Sequence, residues 1–161
     1  MPRYFRQWTL GAIAACALNC SAALADWEDT RWGMSADEVR SVVSGLRDWF
    51  TEPDAIEKVK PFKIPFWTQM VLENHVYIVE FLFLEEKLAA IHMTLLDATC
   101  DKLAIEFFKK HGPTEKLDTD FGTMMQWRAG NDRIRLNHFT KSQNEDEKCL
   151  LTYSDWRLGA G

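Results

Sequence analysis

Residues 76–96 restrict the fold more than any other stretch of this chain. Two apolar runs, residues 76–84 and 88–96, are rich in β-branched and aromatic side chains and flank the charged break Glu85-Glu86-Lys87. That pattern is a β-hairpin. Alternation places Tyr77, Val79, Phe81 and Phe83 on one face of the first strand, and Ala89, Ile91, Met93 and Leu95 on one face of the second. A two-residue turn at Glu85-Glu86 would mix the two sets. A three-residue turn pairs Leu84 with Leu88, Phe81 with Ile91 and Val79 with Met93, and keeps each face coherent. It also sets Glu80 opposite His92 on the second face.

The flanking sequence supplies a helix on either side. Ser35 and Glu38 form a capping box, and Val39, Val42, Val43 and Leu46 repeat at helical spacing behind it. Gly45 ends that helix, or it runs on through Trp49. Pro53 and Pro61 mark residues 51–63 as a loop, and residues 62–72 read as a strand with Pro65 near its start. After the hairpin, residues 97–101 open a second helix, on which Leu103, Ala104, Phe107, Phe108 and His111 share a face. Gly112-Pro113 stops it. Strands follow at residues 123–128, 133–139 and 148–155, the first two joined by a turn at Gly130-Asn131-Asp132. The expected fold is α+β: an antiparallel sheet covered on one face by two helices, in the order helix then three strands, twice.

Residues 1–25 stand apart from that domain. Arg3 and Arg6, the apolar stretch from Trp8 to Leu18, and Ala23-Leu24-Ala25 have the layout of a secretory signal peptide cleaved between Ala25 and Asp26. Ile13-Ala14-Ala15-Cys16 offers the rival layout of a lipoprotein box, with Cys16 lipidated. The expected organisation is a signal peptide, 1–25, and a single domain, 26–161. The expected location is the periplasm, with a lipid anchor in the outer membrane as the alternative. Loss of the leader takes the net charge from −5 to −7, because it carries two arginines and no acid. An acidic chain without a Lys/Arg cluster argues against nucleic acid as a partner, and no later stretch is long and apolar enough to span a bilayer. Cys100 and Cys149 remain after processing. An even pair in an oxidising compartment favours a disulfide, closing a loop worth about 4 kcal/mol of denatured-state entropy.

Trp32-Gly33-Met34-Ser35-x-x-Glu38-Val39 resembles the Gly-Met-(Ser/Thr)-x-x-x-Val helix start of small bacterial envelope proteins of the SmpA/OmlA (BamE-like) type. Lys110-His111-Gly112-Pro113, followed by Trp127 and Leu151-Thr152-Tyr153, is similar to the ending of uncharacterised secreted proteins with a β-lactamase-inhibitor-like architecture. The resemblance implies helices on one side of an antiparallel sheet, and a place in the bacterial envelope.

Little in the sequence points to catalysis. His75, His92, His111 and His138 lack ligand spacing, so no metal or other cofactor is expected. Glu80 and His92 are an acid/base candidate, hence a remote hydrolase reading, but a cross-strand ion pair explains them more simply. The aromatics carry more promise. Trp49, Phe50, Phe66, Trp67 and Trp156 fall near element ends, where exposed rings would form an interaction surface. The expected function is therefore non-catalytic binding of another envelope protein. A cleft for a small apolar or glycan ligand is the alternative, and a closed pocket lined by Phe81, Phe83, Ile91 and Phe107 would favour it.

Overall fold

In the computed structural model, which describes residues 26–48, 61–140 and 148–159, the hairpin lies near the middle of one antiparallel sheet. Strands β4 (Phe66–Leu72), β5 (His75–Leu84) and β6 (Lys87–Leu95) form a meander, with β3 (Arg47–Asp48) on its outer edge. A second meander comprises β7 (Glu115–Thr119), β8 (Gly122–Ala129), β9 (Asp132–Phe139) and β10 (Lys148–Asp155). The two meet at β6 and β10, giving the order β3-β4-β5-β6-β10-β9-β8-β7. Helix α1 (Ala36–Val42) precedes the first meander and α2 (Cys100–His111) the second. A two-stranded ribbon, β1 (Asp26–Trp27) with β2 (Thr30–Arg31), precedes both, and a 3-10 turn, Trp156–Gly159, follows β10.

This mostly β fold corrects the expected α+β layout of a helix and three strands, twice. Each half has a fourth strand, β3 or β7, and the eight strands make one continuous sheet. The first helix is also shorter than its apolar spacing suggests. It buries Val39 alone and leaves at Val43, whose backbone is extended. Gly45 then takes a φ of +71°, and Arg47–Asp48 pair with Trp67 and Phe66. Sheet pairing thus claims residues that a longer helix would have used. The ribbon supplies the missing cover, bringing Trp27, Thr30 and Trp32 onto the core.

The central hairpin has the expected face but a different turn. Glu80 pairs with His92, Phe81 with Ile91 and Val79 with Met93. The turn itself is two residues, with φ of 49° at Glu85 and 64° at Glu86, and Leu84 faces Lys87. A two-residue turn with both central residues left-handed matches strand twist better than a longer one. The parity conflict is resolved by a register shift between Leu82 and Phe83, where Leu82 pairs with Ala90 but Phe83 with Leu88. Such a bulge returns the apolar residues to one face.

That face holds the core. Phe66, Val79, Phe81, Ile91, Leu136 and Leu151 are fully or almost fully buried there, together with Leu103 and Phe107 of α2. Each contributes roughly 1.5–3 kcal/mol of apolar burial. Phe108 is half exposed, so it does not share the buried face of α2. A disulfide joins Cys100, the first residue of α2, to Cys149 on β10, with the Cα atoms 5.2 Å apart. Trp32 Nε1 donates to Asp132 Oδ1 at 2.7 Å, tying the N-terminal segment to the second meander. Among the described residues no helix is long and apolar enough to cross a membrane.

Candidate functional site

Strand alternation leaves the opposite face of the sheet for other residues. The buried side chains of α1 and α2 belong to the core on the first face. On the second, register aligns one row across seven strands: Trp67, Glu80, His92, Thr152, Arg135, Gln126 and Glu115. A neighbouring row is more apolar and includes Ile78, Leu150, Met124 and Leu117. A sheet face that mixes partly exposed apolar, aromatic and arginine side chains has the composition of a protein interface.

Arginines dominate the charge of this face. Arg128 and Arg133 stand directly opposite each other on β8 and β9, and Arg135 lies two residues further along β9. Like charges so placed repel. The indole of Trp156 lies against both guanidinium groups, at 4.9 Å from Arg128 and 4.8 Å from Arg133, which offsets part of the cost. Arg135 Nε donates to Gln126 Oε1 at 2.9 Å. Burial, together with the charge of Arg133, pulls the Arg135 guanidinium below its ordinary value. Arg133 Nε is buried without a hydrogen-bond partner. Among the described residues, no carboxylate pairs with any of these three arginines. A fourth, Arg47, stacks on Trp67 at 5.2 Å at the other end of the row. The result is a cationic strip on an acidic protein.

The residues singled out from the sequence are scattered by the fold. Phe66 is not a surface residue: it is wholly buried beneath α1, against Phe81 and Phe83, with the Arg40 guanidinium over its ring. Its side chain points to the core because alternation in β4 turns Trp67, not Phe66, outward. Trp67 and Trp156 do lie on the second face, partly exposed, each stacked with arginine. Trp49 and Phe50 lie outside the described residues, as do Cys16 and Ala25; Asp26 begins β1. Glu80 and His92 face each other, yet no hydrogen bond or ion pair joins them. Burial pushes the Glu80 carboxyl up and the His92 imidazole down, so both are driven toward their neutral forms. The expected cross-strand pairing is thus present, but it brings the two side chains together as neighbours without an ion pair.

No family model, curated protein or solved structure matches this chain. The residues behind the family resemblance have plain structural duties here. Ser35 and Glu38 complete the capping box, and Gly33 N–H donates to Leu88 O while Leu88 N–H donates to Met34 O, docking the α1 entrance on β6. Gly112, at φ +81°, caps α2 and accepts a hydrogen bond from Trp127 Nε1.

A second feature lies on the helix side. A cavity of about 210 Å³ opens between the ribbon turn and the C-terminal half of α2, lined by Trp27, Tyr77, Met93, Phe107, Leu151 and Tyr153. Glu28, Glu73 and Lys110 stand at its rim, where Lys110 ion-pairs with Glu73. Of the four residues whose pocket would have favoured a ligand, only Phe107 lines this cavity; Phe81, Phe83 and Ile91 are close-packed core. The sequence missed Tyr77 and Tyr153 as lining residues. Both read as ordinary strand aromatics, and only the chain crossing overhead makes a cavity of them.

Proposed function

We propose that this protein is a non-catalytic binding domain of the bacterial envelope that docks an acidic protein surface through the arginine-bearing part of the second sheet face. The observation that carries the reading is the set of Arg128, Arg133 and Arg135 beside Trp156, without carboxylate partners among the described residues. Unpaired cations held in place by aromatic stacking lower the cost of meeting carboxylates on a partner, and Arg and Trp are the side chains that most often concentrate binding energy. The leader-like residues 1–25 and the Cys100–Cys149 disulfide support export to the periplasm.

The test is a photo-crosslinker placed at Thr152, beside Arg135 on the second face, and, as control, at Asp37 on α1, in the native host. A protein captured from Thr152 alone should then bind the purified domain about tenfold more weakly once Arg128 and Arg135 are alanine, and more weakly in high salt. Equal capture from both positions, or affinity indifferent to the arginines, would remove the reading. A second reading, small-ligand binding, is favoured by the helix-side cavity alone.

A further inference from the structure

The helix-side cavity differs in character from the cationic strip on the far face. Four aromatic side chains, Trp27, Tyr77, Phe107 and Tyr153, wall it, arriving from the ribbon, β5, α2 and β10 respectively. Two carboxylates, Glu28 and Glu73, stand at the rim. Lys110 neutralises Glu73, whereas Glu28, in the ribbon turn, has no cationic partner among the described residues. Further carboxylates lie close behind: Asp97 and Glu106 flank His75, whose ring packs edge-on against Tyr77. The hydroxyls of Tyr77 and Tyr153 register this field. Burial pushes both phenols up, and Glu73, Asp97 and Glu106 add to the effect at Tyr77, as Glu73, Asp132 and Glu28 do at Tyr153.

Aromatic walls and negative potential select for the same kind of guest. Ring faces attract a positive centre through their quadrupole, most strongly where water is excluded. Neutral phenol oxygens add partial negative charge to the wall, which favours a positive centre whether or not it carries N–H donors. An anion would meet the carboxylates, and a neutral guest would gain only apolar contact. We propose that this cavity binds a small organic cation, an ammonium group carried on a compact apolar body. The proposal rests on the second reading above, that the cavity is a ligand site.

Three probes of matched bulk and different charge test it: choline, the neutral 3,3-dimethylbutan-1-ol and the anion 3,3-dimethylbutyrate. Each is titrated into the purified protein at constant ionic strength, with calorimetry and tryptophan fluorescence as readouts. Choline should bind saturably and about tenfold more tightly than the alcohol, with the carboxylate weakest. Glu28→Gln, in an exposed turn, should weaken choline several-fold and leave the alcohol unchanged, and a bulkier side chain at Leu72, which also lines the cavity, should obstruct both guests in the variant Leu72→Trp. Equal affinity for choline and the alcohol would overturn the cation proposal while leaving a ligand site. Failure of all three probes to bind would overturn both. Choline binding that neither substitution alters would place the cation elsewhere and end the proposal too.

Discussion

His75 Nε2 lies 2.8 Å from Glu106 Oε2, while His75 Nδ1 faces Asp97 Oδ1 at 3.5 Å. A buried imidazole at the start of β5 thus clasps the sheet to the second helix. His75→Ala should cost about 2 kcal/mol in urea unfolding, from the lost bond and the lost packing against Tyr77. Glu106→Gln should cost less, since Glu106 is partly exposed and the amide still reaches the ring. Equal, negligible losses from both substitutions would show that the clasp contributes nothing.

Glu80 and His92 give opposite pH signatures. Burial raises the Glu80 value above 4.5, so its contribution is complete below that pH and is lost as pH climbs through the raised value. Burial lowers the His92 value below 6.5, so its contribution is present above that pH and is lost as pH falls through the lowered value. Glu80→Gln should therefore be more stable than wild type at pH 7.5, by less than about 1 kcal/mol because the side chain is partly solvated. The difference should close toward pH 4. A variant less stable at pH 7.5 would instead mean that Glu80 forms a favourable ion pair in solution.

Reduction should destabilise the fold strongly. The Cys100–Cys149 bond spans 49 residues and ties α2 to the sheet. Chain-entropy reasoning assigns it about 4 kcal/mol. The double variant Cys100→Ser/Cys149→Ser should match the reduced protein and no longer respond to reductant. A midpoint indifferent to reductant in the wild-type chain would mean that the bond is not formed.

Two turn glycines should differ sharply on mutation to alanine. A Cβ at Gly122, where φ is +143°, would sit 1.9 Å from the carbonyl oxygen of His138, so β8 and β9 must separate. Gly130, at φ +62°, has nothing within 4 Å of the same position. Gly130→Ala should cost about 1 kcal/mol and Gly122→Ala clearly more. Matched thermal shifts for the two would refute the close approach.

What the sequence made legible follows from which residues are buried on one side. β5, β6, β9 and β10 alternate against a core, and their period exposes them. β7, Glu-Lys-Leu-Asp-Thr, is exposed at every position. It buries no face, so it carries no period, and charge on an edge strand protects against stray pairing without announcing a strand. β3 is two residues of an apparent helix tail. The arginine strip was hidden for a related reason: Arg128, Arg133 and Arg135 are ordinary outward residues in sequence, and only the pairing of β8 with β9 and the return of Trp156 bring them together. His75 gave no signal at all, because its partners lie 22 and 31 residues away, beyond any local pattern.

The last strand of the sheet in chain order fills one of its two central positions. A chain emerging from its amino end can therefore complete the first meander early, but β6 keeps a bare, highly apolar margin until β10 arrives. Any product stopped short of β10 would lack the seam and a partner for Cys100, and would offer proteases two open margins, on β6 and on β9. Such an order makes closure of the sheet depend on its last strand, so the seam between the two meanders forms only when β10 is in place.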